Sequence, residues 1–140
     1  MTKKNQTIKR KIPYKMYARI PYGFFLMKDD IGIGYGEILV LSSLYGMAKV
    51  KGGYAVVGND YLSGLYNIKL RTLRDHLYKL KELGFIDWRT DKQGERVFKV
   101  DVDGIDSYVD GLVEQRNLNG TEDESRDYDD LFAKHMEPTI

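Results

Sequence analysis

Residues 68–86 read IKLRTLRDHLYKLKELGFI, and this stretch decides the expected fold. Its leucines recur at spacings of three and four, which places them on one stripe of an amphipathic helix: Leu70, Leu73, Leu77 and Leu80. The opposite face is mainly basic and polar, and it carries Arg71, Thr72, Asp75, His76 and Lys79. Gly84 then ends the helix, because glycine adopts left-handed backbone angles with little strain.

A shorter helix is predicted just before this one. Asn59 or Asp60 can cap a helix over residues 60–66, and Ser63 and Gly64 are small residues where two helices must approach closely. Asn67 lies at the turn between the helices, where a residue must tolerate positive φ, and asparagine is the least strained choice after glycine. The two helices are therefore expected to form a helix-turn-helix.

The residues after the long helix predict a β-hairpin. We expect a strand over residues 85–90, a loop over residues 91–94 and a second strand over residues 95–102. In the second strand three apolar residues alternate with polar ones, namely Phe98, Val100 and Val102 with Lys99 and Asp101. Such alternation gives the hairpin one buried face and one solvated face.

Three upstream segments complete the expected domain. Residues 37–48 carry a wide apolar stripe, which is typical of a central buried helix. Residues 54–57 predict a short strand that can pair with the hairpin. Residues 17–27 are expected to be an extended segment packed on the core, since Pro21 excludes a central place in a sheet.

These segments resemble the winged helix-turn-helix superfamily. The resemblance rests on DYLS at 60–63, NIK at 67–69, RTLRDHL at 71–77 and LKELGFI at 80–86. With IPYGFF at 20–25 and EILVL at 37–41, the chain is similar to the N-terminal DNA-binding domains of plasmid replication initiators and phage replisome organisers, and to small accessory DNA-binding proteins of conjugative plasmids. Over residues 18–102 the resemblance implies an α+β fold, a winged helix-turn-helix with a three-helix core, a small antiparallel sheet and a β-hairpin wing. A C-terminal helix would be added to it.

The resemblance implies a double-stranded DNA-binding protein of a mobile element, acting in replication initiation, conjugative transfer or transcriptional control. The helix after Asn67 would enter the major groove. Its contacts to bases and nearby phosphates would come from Arg71, Thr72, His76 and Lys79, with Lys69 and Arg74 flanking the groove. The hairpin would contribute Arg89, Lys92 and Arg96, and the N-terminal arm would contribute Lys9, Arg10 and Lys11.

A solvated surface is the alternative interpretation of the basic helix face. Asp75 lies in the middle of that face, and a carboxylate repels phosphate unless it accepts a hydrogen bond from a cytosine amino group.

Composition limits the other function classes. The 140 residues, 42% of them hydrophobic, suit one domain with one ordinary core. Without cysteine there is no disulfide framework and no thiolate site, and with two histidines no catalytic triad or metal site stands out. We therefore expect no enzyme, no catalytic residue, no metal and no cofactor. The apolar run at 20–27 is interrupted by Pro21 and Gly23, so we expect no membrane segment and a cytoplasmic location.

The formal net charge of +1 conceals a strong asymmetry. Residues 1–28 carry +8, residues 29–57 carry −1, residues 58–100 carry +3 and residues 101–140 carry −9. A basic segment joined to a basic helix face favours a polyanionic partner. We expect a flexible basic arm over 1–16, the winged domain over 17–102, an accessory helix over 103–116 and an acidic, disordered tail over 117–140.

The accessory helix has a narrow apolar stripe that leaves two possibilities open. The stripe comprises Ile105, Tyr108, Val109 and Leu112. It can dock on its own domain, or it can form a dimer with a second copy or bind a protein of a replication or transfer complex. A second hypothesis for the whole chain follows: a protein-interaction adaptor that assembles a larger complex through this helix and the acidic tail, instead of a DNA-binding protein.

Overall fold

The computed structural model of the protein describes residues 18–90, 92, 96–117 and 128–136, and these form an α+β fold. In chain order the elements are a 3-10 helix Tyr22–Leu26, α1 Met27–Ile31, α2 Tyr35–Val50, β1 Tyr54–Val56, α3 Asn59–Tyr66, α4 Leu70–Glu82, β2 Ile86–Thr90, β3 Arg96–Val100, α5 Val102–Asn117 and α6 Tyr128–Met136. The predicted order of central helix, strand, two helices and hairpin is confirmed, and the arrangement is compatible with a winged helix.

The sheet has three antiparallel strands in the order β1-β3-β2. Phe98 in the middle of β3 pairs with Ala55 on one side and with Trp88 on the other. Because side chains alternate along a strand, these three residues share one face, and the fully buried Phe98 shows that this face meets the core. The expected pairing of the upstream strand with the hairpin is therefore confirmed.

The core is built around α2. Its buried side chains are Ile38, Val40, Leu41, Leu44, Tyr45 and Ala48. Helix α4 packs across α2 through Leu73, Leu77 and Leu80, all fully buried. The prediction that the leucines form the buried stripe of this helix is confirmed for these three residues. Leu70 is the exception, since as the first residue of α4 it lies beyond the contact between the helices and is 37% exposed.

Helix α5 docks on its own domain, as in the first of the two possibilities that the sequence left open. Ile105 and Val109 are buried among the core residues, with Tyr108 and Leu112 packed against them. Val109 lies over Gly23, where a β-carbon would come within 2.4 Å of the valine Cγ1. The apolar stripe of α5 is thus packed on the core of its own chain.

Two tyrosine–carboxylate hydrogen bonds reinforce this docking. The Tyr45 hydroxyl of α2 donates to Asp106, and the Tyr108 hydroxyl of α5 donates to Asp30 of α1. Burial, helped by the neighbouring carboxylate, raises the pKa of both Tyr45 and Tyr108 to about 12. Asp106 of α5 therefore serves as an anchor of the fold.

The expectation of an extended segment at residues 17–27 is wrong for its described part. Pro21 precedes the 3-10 helix with φ −59°, and its carbonyl accepts the Phe24 N–H at 2.9 Å. The fixed φ of proline suits the start of a helical turn as well as an extended strand. Phe24 and Met27, three residues apart, are both buried, so the expected packing of this segment on the core is confirmed.

Two predicted boundaries are also wrong. Helix α3 is capped by Gly58 in an extended conformation, and Asn59 and Asp60 lie inside its first turn. The second hairpin strand ends before Val102, because Asp101 caps α5 by accepting the Gly104 N–H at 3.1 Å.

The tail expected to be disordered includes a helix, α6, over Tyr128–Met136. Residues 118–127 and 137–140, like the proposed arm at 1–16, lie outside the described residues. None of the helices in the described ranges is long and apolar enough to cross a membrane.

Candidate nucleic-acid interface

The direction of α4 is set by a tight turn after α3. Asn67 has φ 53° and ψ 48°, the left-handed conformation that the sequence predicted for it. The Ile68 N–H donates to the Ser63 carbonyl at 2.9 Å, and the Ser63 hydroxyl donates to the Ile68 carbonyl. Backbone and side chain of Ser63 therefore hold the turn together without using any basic side chain of α4.

The side of α4 that faces away from the leucines is exposed and mainly basic. Its charged members are Lys69, at the N-cap, Arg71, Arg74, Asp75, Lys79, Lys81 and Glu82. Thr72 is exposed on the same side. Within the described part of the chain no carboxylate lies within 4.0 Å of Arg71, Arg74 or Lys79. These three cations are therefore available to an external anion.

His76 differs from the other predicted contact residues, because it packs between α4 and α2. Its side chain is only 17% exposed, and its Nδ1 pairs with the Glu37 carboxylate. The other oxygen of Glu37 accepts the Gly34 N–H that opens α2. Gly36 makes room for the imidazole, since a β-carbon there would lie 2.3 Å from the His76 Nε2. The expectation that His76 faces outward is corrected: it joins two helices.

The three predicted hairpin cations are not brought together on one face. Arg89 is exposed and pairs in register with Val97, on the sheet face opposite Trp88 and Phe98. Arg96 lies on the inner face, where its Nη1 donates to the Asn59 side chain at 3.4 Å. Lys92 is exposed in the turn between the strands. The hairpin thus offers Arg89 and Lys92 to solvent, while Arg96 is partly used within the fold.

An aromatic cluster between α4 and the hairpin was missed by the sequence reasoning. The Tyr78 and Trp88 rings meet edge to face, with centroids 5.2 Å apart, and Trp88 meets Phe98 at 5.8 Å. Two cations lie over Trp88: the Lys81 Nζ at 4.7 Å and the Arg96 guanidinium at 5.1 Å from its centroid. Trp88 follows the buried Ile86 by two residues in β2, so the two side chains lie on the same face of the strand. This period-two pattern could have identified Trp88 as facing the helices.

Lys81 and Asp87 form an ion pair at the edge of this cluster, with 3.5 Å between Nζ and Oδ1. The Trp88 backbone N–H donates to Asp87 at 2.8 Å and, with Lys81, holds the pKa of that carboxyl below its ordinary value. The Asp87 carboxylate therefore offsets part of the positive charge of Lys81.

Helix α5, unlike α4, is acidic. Helix α5 carries Asp103, Asp106, Asp110 and Glu114 against the single cation Arg116. Basic and acidic side chains are thus concentrated on different helices.

No group of three or more histidine, aspartate and glutamate side chains among the described residues could hold a metal ion. A shallow cleft of about 580 Å³ lies where α2, the sheet and the start of α5 meet, and it contains residues such as Lys49, Lys99 and Asp101.

The predicted arm residues Lys9, Arg10 and Lys11 lie outside the described residues.

Comparisons of the chain with known protein families, with curated proteins and with solved structures find no match.

Proposed function

We propose that the protein binds double-stranded DNA as a winged helix, with α4 as the helix that enters the major groove. The observation that carries this proposal is the division of α4 into two faces. Three fully buried leucines fix the helix on the domain, and Arg71, Arg74 and Lys79 remain exposed without a carboxylate partner among the described residues. A helix held in this way can meet a phosphate backbone without losing contacts that stabilise the fold.

The hairpin supplies a second contact region. Arg89 and Lys92 are exposed on it and would contact the phosphate backbone or a minor groove next to the site of α4. Arg96 contributes indirectly, since it holds the hairpin against Asn59 and Trp88. His76 likewise positions α4 on α2 and is not a base-reading residue in this proposal.

The resemblance to plasmid and phage proteins suggests the cellular process in which the protein would bind DNA. Under this proposal the protein acts in replication initiation, conjugative transfer or transcriptional control of a mobile element. Selection of bound sites from random duplexes tests how the protein binds DNA: a recovered palindrome implies a dimer, whereas direct repeats or single sites imply independent monomers. Because the α5 stripe is used within the chain, we expect single sites or direct repeats.

A second candidate function, the protein-interaction adaptor, is favoured by one feature of α6. Tyr128 and Phe132 are 69% and 68% exposed, and their spacing of four places them on one side of the helix. Asp129 adds a charge in the first turn of the same helix. This apolar and acidic helix is suited to a protein partner more than to DNA.

A salt titration of duplex binding separates the two candidates. For DNA binding, the logarithm of the association constant falls linearly with the logarithm of salt concentration, by about 0.9 for each phosphate neutralised. The exposed cations of α4 and the hairpin lead us to expect a slope between about −3 and −6. Absence of duplex binding at low salt would contradict the DNA proposal and leave the adaptor.

A further inference from the structure

The aromatic cluster beside α4 leaves one of its rings exposed, which packing alone does not require. Trp88 rests on the buried Phe98, its cross-strand partner in the hairpin. Tyr78, the outermost ring, is 58% exposed on an otherwise charged helix face. Its contact with Trp88 holds it in place from behind. We call the side chains of Tyr78 and Trp88, with Lys81 and Arg96, the aromatic platform.

The charges around the platform are suited to a nucleic acid strand. Arg74, exposed and without a carboxylate partner among the described residues, is one helical turn before Tyr78. Lys81 and Arg96 lie over Trp88 and are partly used by Asp87 and Asn59. A supported aromatic ring bordered by cations is the arrangement that binds unpaired bases, because the base stacks on the ring while the cations meet the adjoining phosphates. Within a paired duplex the faces of the bases are already covered by their neighbours, so a ring can stack only on a base at an end or in a single strand.

We propose that the aromatic platform stacks an unpaired nucleobase, so that the protein prefers a duplex with a single-stranded overhang to a blunt duplex. The proposal rests on the proposed function, since the protein must first bind a duplex beside the platform. Stacking uses the face common to all bases, so the preference is expected to be tolerant of overhang sequence.

Trp88 is the single tryptophan of the chain, and it makes a direct test possible. The full-length protein is titrated with a blunt duplex and with the same duplex carrying a short thymine overhang of either polarity, while tryptophan emission is recorded. We expect one overhang polarity to bind about tenfold tighter than the blunt duplex, as one stacked base would provide. Quenching of the Trp88 emission should accompany the overhang more strongly than the blunt duplex.

Variants of Tyr78 assign the effect to the platform. Tyr78→Leu keeps an apolar side chain without the ring and should remove the tenfold gain, whereas Tyr78→Phe should retain it. Tyr35→Leu is the matched control. Tyr35 is also an exposed tyrosine, with the Phe25 ring centroid 6.1 Å and the Lys28 Nζ 5.3 Å from its own ring centroid, but it lies at the start of α2.

The outcomes distinguish this inference from the proposed function. If both overhangs bind no tighter than the blunt duplex, or if the gain persists in Tyr78→Leu, the platform is not a stacking site and duplex binding by α4 still stands. If Tyr78→Leu removes the gain while Arg71→Ala with Lys79→Ala leaves blunt-duplex affinity unchanged, the platform is supported and the assignment of α4 is wrong. If the parent protein binds no nucleic acid at all, both the proposed function and the stacking site are contradicted.

Discussion

Helices α4 and α5 are both amphipathic, yet the protein uses their polar faces in opposite ways. Helix α4 is held by buried leucines, and its cations stay exposed. Helix α5 is held by buried Ile105 and Val109 and also by hydrogen bonds from Tyr45 to Asp106 and from Tyr108 to Asp30. The Asp106 carboxylate of α5 therefore helps to hold the fold, whereas Arg71, Arg74 and Lys79 of α4 remain exposed without a carboxylate partner among the described residues.

The largest effect in this comparison is expected from the apolar side of α4. Leu77→Ala should lower the free energy of unfolding by about 2 to 5 kcal/mol, because it leaves a cavity where α4 meets α2. Urea unfolding measures the change. Thr72→Ala, an exposed substitution on the same helix, should stay within about 0.5 kcal/mol of the parent. Equal effects of the two variants would mean that α4 is not fixed by its leucines.

A smaller loss is expected where α5 meets the 3-10 helix. Gly23→Ala places a methyl group within 2.4 Å of the Val109 Cγ1 and 3.0 Å of the Val113 Cγ2, so these side chains or α5 itself must shift, and we expect a loss of about 1 to 3 kcal/mol. Gly111→Ala in α5 is the control. Nothing lies within 4 Å of the added methyl group there, and alanine should stabilise the helix by about 0.5 to 1 kcal/mol. If Gly111→Ala destabilised the protein and Gly23→Ala did not, the docking of α5 would be contradicted.

The tyrosine anchors predict a dependence on alkaline pH. Burial raises the pKa of Tyr45 and Tyr108 from 10.0 to about 12, so the neutral hydroxyl is favoured in the folded protein. Their contribution to stability is complete below pH 10 and is lost as the pH rises towards about 12. Unfolding midpoints recorded across this range should fall less steeply in the Tyr45→Phe, Tyr108→Phe double variant than in the parent. An unchanged pH profile would show that the hydroxyls do not anchor α5.

The comparison also shows which parts of the fold the sequence could predict. The leucine stripe of α4 and the positive φ of Asn67 and Gly84 follow from residues close together in the chain. The docking of α5 does not, because the tyrosine–carboxylate pairs join residues 61 and 78 positions apart. A periodic pattern identifies an apolar face but not the surface that covers it.

The candidate site was likewise only partly predictable from patterns local in the chain. The exposed cations of α4 follow from helical periodicity alone. The position of His76 depends on Gly36 and Glu37 in another helix, which make room for the imidazole and pair with it. The aromatic platform depends on the approach of β2 to α4, so no local pattern joins Tyr78 to Trp88.

The central claim, that the exposed face of α4 meets the phosphates, is tested most directly by the salt dependence of duplex binding in two double variants. Arg71→Ala with Lys79→Ala removes two cations from α4, and Lys51→Ala with Arg116→Ala removes the same charge from exposed positions at the ends of α2 and α5.

We expect both proteins to unfold at nearly the parent's urea concentration. The α4 variant should bind duplex more weakly, with a salt slope shallower by about 2, while the control keeps the parent slope. Equal slopes in the two variants would contradict the claim.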